Sequence, residues 1–202
     1  MRTRRIYIII FTEIDMRIIT GKARGVRLET LDGLNTRPTS ERSKEAIFSM
    51  LQFDIAGSLV LDLFAGSGQM GLEAASRGAE AVLLVDRSKE AFKIINNNIA
   101  KTRLADTVTA KNEDSISFIK RCDNSKKFDI VFLDPPYATA LIDEALTVLF
   151  ERELVGDESV IVCESDRFEI LGIANSEKYD IIKTMKHGAA HISVLRIKSE
   201  AI

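Results

Sequence analysis

The chain has 202 residues and a formal charge of −2, enough for one ordinary domain with a sizeable core and a small appendage. Its apolar fraction of 46% is that of a globular protein, and the apolar run of residues 6–11 is far too short to cross a membrane. Cys122 and Cys163 form no CxxC pair, which fits reduced thiols in the cytoplasm, and His187 and His191 have no matching Cys or His set, so no metal is expected.

The charge is unevenly spread. Residues 1–44 carry ten Lys/Arg against five Asp/Glu, net +5, and the remainder is −7. An acidic body with a basic leading segment suits a polyanion gripped at one end, and equally describes a solvated basic tail. Residues 1–15 begin like a signal peptide, with Arg2, Arg4 and Arg5 before IYIIIF, but Glu13 and Asp15 follow without a small-residue cleavage site. They read as an extension without a catalytic role, or as an extra edge strand.

Residues 16–29 read as a hairpin around Gly21–Gly25, decorated by Arg17, Lys22, Arg24 and Arg27. A loop with Gly33, Asn35 and Pro38 follows, and Thr39 or Ser40 can cap the next helix. The core face predicted for that helix is Ala46, Ile47, Met50 and Leu51, and Arg37, Arg42 and Lys44 sit at its start. Strand and helix then alternate: strand 59–63, a glycine turn into a helix ending near Gly78, strand 81–85, helix 88–101, strand 107–110, a helix to about 121, strand 128–133, helix 140–151 and strand 159–163. Residues 178–185 and 191–197 read as a hairpin joined at Gly188. This order implies an α/β protein with a mainly parallel sheet, an antiparallel close and helices on its faces.

Two stretches carry chemistry. DLFAGSGQMG places G-x-G-x-x-G between a strand and a helix, and Asp86 follows Gly66 by 20 residues. The glycines let a ligand approach the backbone, the helix start offers free N–H groups, and the acid suits a ribose diol. Asp62, at the end of the preceding strand, disfavours a pyrophosphate and suits an amino-acid ammonium, as in S-adenosyl-L-methionine. Asp114 is placed either to accept from an adenine amino group or to cap the helix after it; both roles are compatible.

The second stretch is FDIVFLDPPY, residues 128–137. Two prolines fix φ near −65° and donate no ladder bonds, so the strand must end there. Asp134, the Pro135 carbonyl and Tyr137 then meet at a strand's carboxyl end, with Pro136 stiffening the turn. A carboxylate and a carbonyl can take both hydrogens of a planar amine and localise its lone pair, while the phenol stacks on the ring, a contact of about 1–3 kcal/mol per base. A plain strand-ending turn with a surface tyrosine is the bland reading of the same letters.

Together, DLFAGSGQMGLEAASRGA, Asp86 and DPPY resemble the class I S-adenosylmethionine-dependent methyltransferases. TGKARGVRL followed by TRPTSERSKEAIFSML is similar to the bacterial enzymes that methylate N2 of one 16S rRNA guanine. The resemblance implies a Rossmann-like fold with a seven-stranded, mainly parallel sheet and an antiparallel C-terminal strand, preceded by a β-hairpin. Its implied layout is an extension (1–15), a basic hairpin and loop (16–44) and a catalytic domain (45–202).

The resemblance also implies S-adenosyl-L-methionine held by Asp62, Phe64, Gly66, Gly68, Asp86, Arg87, Asp114 and Ser115. Asp134, Pro135, Pro136 and Tyr137 would hold the guanine, and Arg24, Arg27, Arg37 and Arg42 the RNA, with the basic hairpin and the Arg37–Lys44 loop gripping its backbone. The implied partner is 16S rRNA or a small-subunit assembly particle, met by a monomer. Residues 1–15 and the Gly188–His191 turn depart from the family pattern. Alternatives are a DNA or other-RNA amino-methyltransferase, an NAD-dependent oxidoreductase, and a non-catalytic RNA-binding module of the same fold.

Overall fold

A computed structural model describes residues 16–31, 41–125, 127–136, 139–165, 176–187 and 190–199. Its elements are α1 (Glu41–Met50), β1 (Leu59–Asp62), α2 (Gln69–Ser76), β2 (Ala81–Asp86), α3 (Lys89–Thr102), β3 (Val108–Asn112), α4 (Ser115–Arg121), β4 (Phe128–Leu133), α5 (Thr139–Glu151), β5 (Val155–Ser165), β6 (Tyr179–His187) and β7 (Ala190–Ile197). One seven-stranded sheet runs β3-β2-β1-β4-β5-β7-β6. The first five strands pair in parallel; β7 is antiparallel to both β5 and β6.

Alternate strand residues feed two cores, because successive side chains point to opposite faces. Val60, Val82, Leu84, Ile130 and Val162 pack under the hairpin and α1, α2 and α3. Leu61, Val85, Val131 and Cys163 pack with α4 and α5. Asp129, the one polar residue in β4, accepts the Leu59 N–H at 2.7 Å and so fixes the entry into β1. β5 is longer than expected: Val155 pairs with Phe128, and a register shift precedes the Ile130–Val160 pair, where the pattern alone suggested a loop.

Residues 16–28 form a minimal hairpin with a single bridge, Arg17 to Arg27. It lies on the outer side of α2. Glu73, wholly buried, accepts from Ile19 N at 2.7 Å and Thr20 N at 3.0 Å. The Ser76 hydroxyl donates to Thr20 O and accepts from Ala23 N. Gly21, at φ 88°, passes so close that an added Cβ would lie 1.8 Å from Ser76 O. α1 joins the same assembly: Lys44, only 1% exposed, donates to Arg17 O at 2.6 Å and stands 3.5 Å from Glu73.

That burial corrects the placing of Lys44 among the RNA-gripping residues. The buried face of α1 is also shifted from the expected one: Phe48 is fully buried, while Ala46 and Met50 are half-buried. The proposed Thr39 or Ser40 cap lies outside the described residues, as do residues 1–15.

Candidate active site

The parallel strands end along one edge, and each end carries an acid: Asp62 on β1, Asp86 on β2, Asp114 just past β3, Asp134 just past β4 and Glu164 near the end of β5. β1 and β4 are neighbours with Asp62 opposite Phe132, so Asp134 emerges beside the glycine loop. The carboxyl ends of these two strands therefore lie side by side.

The three glycines of the fingerprint do separate work. Gly66, at φ 55°, has nothing from the described residues within 4 Å of where a Cβ would stand, so this part of the loop faces open space among them. Gly68, at φ 80°, begins α2 without a side-chain cap. Gly71 lies against the sheet, where a Cβ would meet Leu84 Cδ2 at 2.2 Å. Asp62 supplies the missing cap from the neighbouring strand: its Oδ2 accepts the Gly71 N–H at 3.1 Å. Asp86 holds the loop from the other side, accepting from Gly66 N and Ser88 N, each at 2.8 Å. An open backbone edge, a helix start and a flanking acid fit a nucleoside cofactor.

Burial pushes the Asp62 carboxyl up to about 7, against the pull of the Gly71 N–H, and Asp86 adds repulsion. The unfolded chain loses this proton near pH 4, the folded chain near pH 7. Stability of the free protein should therefore fall as pH rises from about 4 to about 7 and then level off. The linkage is of order 4 kcal/mol. Asp62→Asn keeps an acceptor for Gly71 but adds an amide N–H2 that needs a partner, so about half should be recovered. Thermal melts at pH 8 should place the variant roughly 4–8 °C above wild type. Melts at pH 4, where wild type keeps the whole linkage and the variant still carries the unpartnered amide, should place the variant below wild type by a similar interval.

Asp134 is open to solvent, yet its carboxyl is raised well above the ordinary range, first by the surrounding protein and then by Glu164 and Asp62. Pro135 is buried and Pro136 exposed; Tyr137 lies outside the described residues. Glu164 went unnoticed in the sequence because the strand was expected to end at Cys163. The pairing of Leu133 with Cys163 sets Glu164 next to Asp134.

The remaining cofactor candidates divide. Asp114 is exposed and caps α4, accepting from Ser117 N at 2.9 Å. That bond, with Arg87 nearby, holds its carboxyl below the usual range. Arg87 is exposed, and Phe64 is half-buried against the α4–α5 core. Ser115 is buried and its hydroxyl donates to Leu63 O, so its side chain ties α4 to the end of β1 instead of reaching into the cleft. Of the RNA candidates, Arg24, Arg27 and Arg42 are exposed, and Arg37 lies outside the described residues.

Strand order, glycine loop and acid-lined edge define a class I S-adenosylmethionine-dependent methyltransferase fold. A solved Escherichia coli chain described as "putative methyltransferase yhhF" superposes with a TM-score of 0.80 at 29% identity, covering 91% of this chain and 98% of that one. An RNA methyltransferase from Salinibacter ruber, solved with S-adenosyl-L-homocysteine, shares the fold at 16% identity and a TM-score of 0.61, over 82% and 96% of the two chains.

The chain belongs to the family described as Conserved hypothetical protein 95, whose model matches residues 16–196. Ribosomal RNA small subunit methyltransferase D of Haemophilus influenzae is 34% identical over 154 residues, 76% of this chain and 80% of that protein. The Escherichia coli K12 protein of the same name is 34% identical over 151 residues, 75% of each.

Proposed function

We propose that the protein transfers the methyl group of S-adenosyl-L-methionine to the exocyclic N2 amine of a guanine in 16S rRNA of the small ribosomal subunit. The observation that carries this reading is the shared edge of β1 and β4, which sets the glycine loop beside Asp134. A ligand with an ammonium, a sulfonium and ribose hydroxyls suits a row of acids; a dinucleotide pyrophosphate would be repelled by Asp62, Asp134 and Glu164. This disfavours the NAD-dependent alternative. Relatives named as small-subunit rRNA methyltransferases favour RNA over DNA.

In this reading Asp86 takes the ribose hydroxyls, Asp62 the ammonium, and Asp114 the adenine amine, each through lone pairs left over from its backbone bonds. Bound there, the cofactor supplies an electrophilic methyl on its sulfonium. Asp134 and the Pro135 carbonyl accept the two N2 hydrogens, turning the lone pair of the amine toward the methyl, and Tyr137 stacks on the base. The protein's contribution is mainly alignment, and the guanine must leave its stack to enter.

Incubation with methyl-labelled cofactor and unmodified small subunits, 16S rRNA or duplex DNA, followed by mapping of the labelled base, tests the reading. Label at guanine N2 of small-subunit RNA is expected; label at adenine N6 of DNA would replace it with the DNA alternative. The exposed Arg24 and Arg27 should pair with RNA phosphates. Their joint reversal to Glu should flatten the log–log salt dependence of RNA affinity by about 0.7 for each phosphate no longer neutralised, read from filter binding between 50 and 200 mM salt. An unchanged slope removes the hairpin from the RNA interface.

A further inference from the structure

Asn98 is a wholly buried polar residue on α3 that no step above uses. Its amide is fully engaged in two directions. Oδ1 accepts from Glu29 N at 2.7 Å, and Nδ2 donates to Glu29 O at 3.0 Å and to Ser67 O at 2.9 Å. Glu29 closes the basic hairpin; Ser67 is the middle residue of the Gly66–Gly68 loop. A second link reaches the same loop residue from the other end of the hairpin, where the Ser67 hydroxyl donates to Met16 Sδ at 3.3 Å. Both ends of the hairpin therefore hold one residue of the loop whose open side faces the cleft.

We propose that Asn98 is a positioning residue that couples polyanion binding on the hairpin to the shape of the cofactor loop, so that RNA and cofactor tighten each other's binding. The inference rests on the reading of the hairpin as an RNA-binding element. An amide is planar, so its donors and acceptor keep fixed directions. A displacement of Glu29 must tilt that plane, and the Ser67 carbonyl must follow, because buried polar groups cannot be left unpaired cheaply. Ser67 stands between Gly66, whose N–H is held by Asp86, and Gly68, which starts α2. Moving its carbonyl therefore turns the N–H groups presented to a ligand. Such coupling is reciprocal. Aspartate at this position would keep the acceptor for Glu29 and lose both donors.

The test measures S-adenosyl-L-homocysteine affinity by calorimetry with and without a saturating unmodified 16S rRNA transcript, for wild type, Asn98→Asp and Asn98→Ala. In wild type the RNA should tighten the affinity about fivefold or more, and the homocysteine compound should tighten RNA binding by the same factor. In Asn98→Asp that factor should fall to about one while RNA affinity alone and its salt slope remain those of wild type. A merely structural Asn98 would weaken one or both affinities and leave the coupling factor unchanged, which would overturn the proposal.

Hydrogen exchange on the wild-type protein needs no variant to fold. Transcript alone should slow the amides of residues 66–68, and unchanged exchange there with RNA bound would also overturn the proposal. Where the transcript does not bind, unmodified small subunits take its place in the same titrations; a wild-type protein that binds neither removes the RNA reading and this inference together. Binding without any change in S-adenosyl-L-homocysteine affinity removes the coupling only.

Discussion

Replacement of Asp134 by alanine should leave the fold and cofactor affinity nearly intact and lower the single-turnover methylation rate by about 100- to 1,000-fold, the range seen when one oriented polar group is deleted from a transition state. The side chain lies past the end of β4, in the open cleft, where no core packing depends on it. In the proposed reaction its work falls on the amine: without the carboxylate one N2 hydrogen loses its acceptor and the lone pair returns to the ring.

The pH profile gives a second reading of the same residue. Desolvation by the surrounding protein, Glu164 and Asp62 raise the carboxyl in the free protein, so the ionised, accepting form appears only on the alkaline side of its shifted titration. A cationic cofactor offsets those neighbours. The acid limb of kcat/KM, which reports the free enzyme, should therefore lie at higher pH than the acid limb of kcat, which reports the complex. Coincident limbs, or a variant as fast as wild type, would take Asp134 out of the reaction.

Glu73→Ala should be the most damaging single change to stability, at about 3–5 kcal/mol. The carboxylate joins Ile19 N, Thr20 N, Arg77 and Lys44, and it is completely enclosed. Its removal strands the Lys44 ammonium, which burial already pushes below its ordinary range despite the acid beside it. Two backbone N–H groups lose their acceptor as well. Pairing Glu73→Leu with Lys44→Met should restore the charge part of the loss, since apolar replacement of a buried ion pair is often neutral. The orphaned amides of Ile19 and Thr20 should keep the double variant below wild type. Urea unfolding gives the energies. Trypsin should cut at Lys22 or Arg24 in Glu73→Ala before the body unfolds; a hairpin as resistant as in wild type would show that its other attachments suffice to hold it.

What the amino-acid pattern revealed, and what it hid, follows from the range of the interactions. The ends of β1, β2 and β4 were readable because each is written locally, in a run of β-formers closed by an acid, a glycine or a proline. The Gly66–Asp86 relation was readable because both residues belong to one βαβ unit. Glu73, Ser76 and Asn98 gave no such signal. Their partners on the hairpin are 53 to 69 residues away, and helical periodicity predicts only one buried face. In α2 all eight residues are buried, because the sheet covers one side and the hairpin the other. Lys44 was misplaced for the same reason: a charge near a helix start is normally at the surface, and only the tertiary neighbour Glu73 makes its burial tolerable. Ser115 likewise reads as a loop-end hydroxyl until its acceptor just past β1 is known.

The manner in which the hairpin is fastened separates anchorage from recognition. Main-chain amides and carbonyls at residues 17, 19, 20, 22, 23 and 29 make most of the attachments to α1, α2 and α3, and those atoms are the same whatever side chains the strand carries; the side chains of Arg17 and Glu29 add ion pairs to Glu41 and Lys101. Lys22, Arg24 and Arg27 project outward from this docked ribbon. Under the proposed RNA role of the hairpin, target preference can therefore drift, or be rewritten by grafting new outward-facing letters, while the body that binds the cofactor stays as it is.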